Sequence, residues 1–157
     1  LGGAAFGLGL IGGAGHARAY SEASPADVNV DTQGLALRGH DPVAYQTQGR
    51  PVPGQAQLTA THDGATYRFA SAANRDSFRA DPGRYAPAYG GFCAMGVAMG
   101  MKLDGDPALF RVVDNRLYLN VNAPVQQRWI QDIPGNVANA NERWPQLRGK
   151  APRDLKG

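Results

Sequence analysis

The chain predicts a small α+β domain in which two β-hairpins pack against several short helices. Two β-rich stretches fold back on tight turns, helix starts are marked by a capping residue or a proline, and the elements run strand, strand, helix, helix, strand, strand, helix. The first hairpin joins 56–62 to 65–70 through Asp63-Gly64, a pair that tolerates positive φ at both turn positions. Tyr67 and Phe69 share one strand face and Arg68 takes the other, so one side is packed. Ser71 then caps a helix through Asn74, Phe78 and Arg79 that stops before Pro82-Gly83. The second hairpin pairs 109–113 with 117–121 across Asp114-Asn115-Arg116. Pro124 opens a helix carrying Val125, Trp129 and Ile130, which Asp132-Ile133-Pro134-Gly135 breaks. A last helix from about Asn136 carries Val137, Ala140 and Trp144 and ends at Pro145.

With 157 residues, 43% hydrophobic and 18% charged, the composition supports one compact domain with extensions. Residues 1–15 carry no charge and are followed by His16-Ala17-Arg18-Ala19, a small-x-small pattern after which a signal peptidase could cut. Residues 1–19 therefore read as the rear of a secretory signal or as a membrane anchor. The uncharged run of 15 is shorter than the roughly 20 residues that span a bilayer. Gly7-Leu8-Gly9-Leu10-Ile11-Gly12 spells a dinucleotide fingerprint but has neither the preceding strand nor the following helix that such a site needs. Polar and small residues make 20–33 a linker, the domain occupies 34–147, and 148–157 form a basic tail. The net charge of +3 owes much to that end, because five of the sixteen basic residues lie in the final fifteen positions. Elsewhere Arg68, Arg75, Arg79, Arg84 and Arg111 alternate with Asp76, Asp81 and Asp114, which gives no basic stripe and excludes nucleic acid as the expected partner.

The only cysteine, Cys93, and all three methionines, Met95, Met99 and Met101, fall within nine residues. A thiol that cannot pair within its own chain, set among thioethers, points to a soft metal such as copper, to a reactive thiol, or to core packing. On a regular helix Met95 and Met99 share a face while Cys93 lies about 200° round from Met95, so convergence requires bent backbone. Four glycines, at 90, 91, 96 and 100, favour such a bend, which would carry Cys93 toward His40 or His62. The candidate metal ligands are thus Cys93, His40, His62, Met95 and Met99. No His-x-x-x-His or Cys-x-x-Cys pair supplies a closed zinc site. Catalysis would need a base beside Cys93 and a group to orient it. Only the His40-Asp41 and His62-Asp63 pairs are available, and these serve equally as turn residues, so a non-enzymatic role is expected.

Asp41-Pro42-Val43-Ala44-Tyr45, Thr66-Tyr67-Arg68-Phe69-Ala70-Ser71, Asn74, Phe78, Asp81-Pro82 and Tyr85 resemble the YHS domain. Tyr89-Gly90-Gly91-Phe92-Cys93-Ala94, Gly105-Asp106-Pro107, Leu117-Tyr118-Leu119-Asn120, Gln127-Arg128-Trp129 and Asp132-Ile133-Pro134-Gly135 extend the likeness to exported bacterial YHS domain-containing (seleno)proteins, over about 34–147. The resemblance implies a setting near heavy-metal handling, especially copper systems. It also implies cysteine ligands after the Asp-Pro-Val triplet and after the Tyr-x-Phe strand. The matching positions here are Ala44, Ala70 and a non-cysteine in the helix, so any metal needs other ligands. The expected function is an exported, periplasmic soft-metal module with copper at or near Cys93. The alternatives are an accessory subunit docked to a membrane complex, through the N-terminus or the basic tail, and a thiol redox protein.

Overall fold

The computed structural model describes residues 21–155. It is α+β: two antiparallel two-stranded sheets and six α-helices among the described residues, with two hydrophobic clusters, to both of which the second hairpin contributes. A 3₁₀ turn, Leu37–Gly39, leads to helix α1 (Ala44–Thr47), then strands β1 (Gln55–His62) and β2 (Ala65–Phe69), then helices α2 (Ala72–Ala80) and α3 (Pro82–Tyr85). A second 3₁₀ turn, Ala88–Gly91, leads to α4 (Ala94–Ala98), strands β3 (Asp106–Val113) and β4 (Arg116–Asn120), then α5 (Ala123–Ile130) and α6 (Ile133–Leu147).

These two runs are the same unit built twice. Both hairpins have the same lengths and the same irregularity, Gln55 opposite Phe69 and Thr59 opposite Arg68 in one, Asp106 opposite Asn120 and Phe110 opposite Leu119 in the other. Every one of those positions is displaced by 51 (55 to 106, 69 to 120). Ser71 caps α2 by accepting from Asn74 N at 3.1 Å, and Asn122 caps α5 by accepting from Val125 N at 2.9 Å, again 51 apart (71 to 122). Upstream, the left-handed run Leu37, Arg38, Gly39 returns as Tyr89, Gly90, Gly91. Left-handed backbone at non-glycine residues is uncommon, so its recurrence at matching places reflects one shared backbone solution. Most side chains differ, and identical ones recur only at scattered places 51 apart, among them Gly54 and Gly105, Asp63 and Asp114, Tyr67 and Tyr118, and Asp81 and Asp132.

Local chemistry explains the elements and the places where expectation and structure part. Asp63 and Gly64 both take positive φ, as the first turn requires. In the second hairpin Asp114 and Asn115 do the same, so the turn has two residues and Arg116 joins β4 instead of completing a three-residue loop. The expected break falls after Ile130, and α6 starts at Ile133 instead of near Asn136 because Asp132 accepts from Gly135 N at 3.1 Å; Pro134 sits in the first turn, where its missing N–H costs nothing. The helix also runs through Pro145, because only the last turn remains to be built.

The first cluster gathers Leu37, Val43, Tyr45, Tyr67, Phe69, Phe78 and Leu117, and the second Phe92, Cys93, Met95, Val97, Tyr118, Trp129 and Leu147. Both ends of the described chain are fastened to this body, unlike the linker and tail that composition suggests. Val28 is buried in the first cluster, Val30 bridges to Ala36, and Asn29 N donates to Gly90 O at 2.8 Å. Gly90 is required there, since a Cβ would collide with the Asp27 carbonyl. At the other end Ala151 and Pro152 are buried. Lys102 ties the two together: its fully buried ammonium donates to Ala26 O at 3.2 Å, Asp27 Oδ1 at 3.1 Å and Lys150 O at 2.7 Å, beside the rings of Phe92 and Trp144. A lysine this deep needs such a set of acceptors, and nothing local in the sequence marks it. No helix among the described residues is long and apolar enough to cross a membrane, and the leader expected at 1–19 lies outside them.

Candidate functional site

Cys93 stands immediately before α4 and acts as its N-cap, fully buried. Its backbone N–H donates to Leu103 O at 2.9 Å and its residue bridges to Leu119 of β4, so the thiol is held between α4 and the second hairpin. Gly96 N donates to Sγ at 3.4 Å, and the thiol donates to Asn120 Oδ1, also at 3.4 Å. Met95 N donates to the same Asn120 oxygen at 3.2 Å, which fixes the amide with its oxygen toward the sulfur. A carbonyl oxygen facing the sulfur requires the proton to stay on it. Burial pushes the thiol up from its ordinary 9.0, and the N–H groups of Gly96, Val121 and Met95 only partly oppose this. Cys93 is a neutral capping thiol, without the exposure and electropositive surroundings of a reactive one.

The other candidate ligands are placed elsewhere or turned to other work. His40 directs Nδ1 to Leu37 O at 2.9 Å and its residue bridges to Pro53. His62, at the end of β1, has Nε2 3.4 Å from Asp63 Oδ2 and stands edge-on to Phe78. Met95 is buried in the second cluster, and Met99, half-buried, ends α4, so the two methionines do accompany Cys93 in one core. Among the described residues no three His, Cys, Asp or Glu side chains converge to hold a metal ion. Among the described residues no hydrogen bond joins either imidazole to Cys93. Instead the glycines end a five-residue helix at Gly100.

Asp41, fully buried, holds the matching place in the first unit (41 to 93). Its N–H donates to Val52 O at 2.8 Å, as that of Cys93 does to Leu103 O. Oδ1 accepts from Val43 N at 2.8 Å and Ala44 N at 3.3 Å, and Oδ2 from Ala70 N at 2.8 Å and Asn74 Nδ2 at 2.7 Å. The cage thus ties α1, the end of β2 and α2 to one carboxylate, where sequence reasoning read only a turn cap. Ala44 and Ala70 are the positions at which the resemblance expects thiolate ligands. Both offer backbone N–H groups to an anion, which is the wrong polarity for a cation, so the usual cysteine metal site does not fit this chain.

Sequence reasoning missed Asn120, Lys102 and Asp27. Asn120 had one available signal, its place at the end of a β-rich strand where a buried amide is uncommon and therefore needs partners. A search of curated proteins and a search of solved structures each return no match to this chain. The family comparison does find a match, and it falls on the first of the two units: residues 43–89 match the YHS domain.

Proposed function

We propose that this chain is an exported, non-enzymatic accessory module of soft-metal, copper-type handling that acts by binding a partner and not by carrying the ion on Cys93. The YHS domain over residues 43–89 supports the metal-handling setting. The observation that carries the rest is the Cys93 thiol, fully buried, protonated and committed to Asn120 and Gly96. A carrier needs a thiolate that an ion can reach. The uncharged stretch 1–15 would tether the module to a membrane, with the partner a membrane-associated complex.

Anaerobic Cu(I) titration against a competing chelator tests this directly. The expected result is no stoichiometric uptake by the folded protein and no difference between wild type and Cys93→Ala, while a membrane complex co-purifies from the native compartment. One equivalent bound and lost in Cys93→Ala would instead establish the second reading, copper held by Cys93, Met95 and Met99. One observation favours that reading: the three sulfurs pack into the same core.

A further inference from the structure

Beside the turn of the first hairpin lies a cleft of about 140 Å³, lined by Asp27, His62, Asp63, Tyr67, Trp144 and Arg148 among others. These six come from three stretches distant in sequence: the segment ahead of the first 3₁₀ turn, the first hairpin around its turn, and the end of α6. Tyr67 is 1% exposed, and its hydroxyl has no hydrogen-bond partner among the described residues although the residue borders the cleft. Buried hydroxyls are nearly always bonded, so an unpartnered one at the wall of a cleft marks a place for a ligand group.

The charges around the cleft decide which kind. Asp27 is already satisfied by Lys102 Nζ at 3.1 Å, Gly149 N at 2.7 Å and Arg148 Nε at 3.5 Å. Arg148 is thereby engaged, and Lys102, within 5.7 Å of the Trp144 ring, adds positive charge on that side only. Asp63 has just the neighbouring His62 ring at 3.4 Å and is 71% exposed. Its charge also reaches Tyr67, whose phenol is raised by burial first and by Asp63 second. The Asp63 end therefore presents an exposed carboxylate near the Tyr67 hydroxyl, with the His62 ring edge already turned to that carboxylate at 3.4 Å. A carboxylate ligand would meet two aspartates there, with the one guanidinium already taken.

We infer that this cleft binds a primary ammonium group, with Asp63 as its counter-charge and the Tyr67 hydroxyl as a fixed acceptor. A compact ammonium can turn one N–H to the carboxylate and another to the phenol oxygen, whereas the planar fork of a guanidinium calls for a bidentate partner. The inference stands independently of the accessory role proposed above.

The test titrates n-butylammonium into the full chain near neutral pH and follows the Tyr67, His62 and Trp144 side-chain signals by NMR. Expected are saturable shifts confined to these residues, no comparable response to butyrate, and an affinity loss of about tenfold or more in Asp63→Asn, the loss of one charge-assisted hydrogen bond. Asparagine accepts the positive φ of position 63, so that variant keeps the turn. Tyr67→Phe keeps the ring in the core and should weaken binding severalfold. An equal response to butyrate, or an unchanged affinity in folded Asp63→Asn, overturns the site. Tighter binding of Nα-acetyl-lysine amide than of n-butylammonium would identify a protein lysine as the source, and equal or weaker binding a free amine; both support the ammonium site.

Discussion

Asp41 and Cys93 occupy the same place in two copies of one unit and solve the same problem with opposite chemistry. In the first copy a carboxylate accepts four N–H groups, two from the start of α1, one from the end of β2 and one from α2. In the second a thiol accepts from Gly96 N and gives its own proton to Asn120. The Val121 N–H, which corresponds to that of Ala70, also lies close enough to act on the sulfur. The backbone of this unit thus builds a cradle of N–H groups whatever stands at its centre. Four charge-assisted bonds make the first cradle a clamp on three elements, whereas the weaker sulfur bonds leave the second dependent on hydrophobic packing around it. At Ala44 and Ala70, where the resemblance to the YHS domain implies thiolate ligands, backbone N–H groups serve the Asp41 carboxylate instead.

The largest test of this comparison is Asp41→Asn, which replaces one accepting oxygen with a donor aimed at N–H groups. It should destabilise the protein by roughly 3 kcal/mol in urea unfolding, as breaking a buried charged network does. A loss near that of a surface change would break the view of Asp41 as a clamp. Next comes Cys93→Ala, expected to cost roughly 1–2 kcal/mol for a lost cap and a small cavity. Cys93→Ser should cost less, because a hydroxyl can accept from Gly96 and donate to Asn120. A Cys93→Ala loss exceeding that of Asp41→Asn would reverse the ranking of the two cradles.

The smallest effect is a pH dependence. The folded thiol titrates above the ordinary 9.0, so its contribution to stability is complete below that value and is lost as pH rises through it. Wild type should therefore lose stability relative to Cys93→Ser between neutral and strongly alkaline pH, and native Cys93 should resist a thiol reagent at neutral pH. The serine variant is the needed reference because Tyr45, Tyr67, Tyr89 and Tyr118 are also raised by burial and add the same slope in both proteins. Rapid modification of the native thiol at neutral pH would restore the redox reading.

Much of the fold was legible because its signals are local. Asp63-Gly64 needs only its own backbone preferences to make a turn, and Ser71 needs only Asn74 N three residues on to cap α2. The chemistry was not legible in the same way. Cys93 and the two histidines share a composition that suits a soft metal, but which of them meet depends on how both units pack. The repeat itself lies in the backbone, which recurs with mostly different side chains.

By itself, then, the sequence determined where strands turn and helices begin, and that all of its sulfur lies in one stretch, since these properties reside within a few consecutive residues. Only the tertiary structure decided that Asp41 is a clamp, that Cys93 keeps its proton, that Lys102 binds both ends of the described chain to the core, and that His62 faces a cleft instead of the sulfur. Each of those outcomes is set by burial and by partners distant in the chain, as with Met95 and Asn120, 25 residues apart, or Asp27 and Gly149, 122 apart, and the pairing of such groups exists only once the chain has folded.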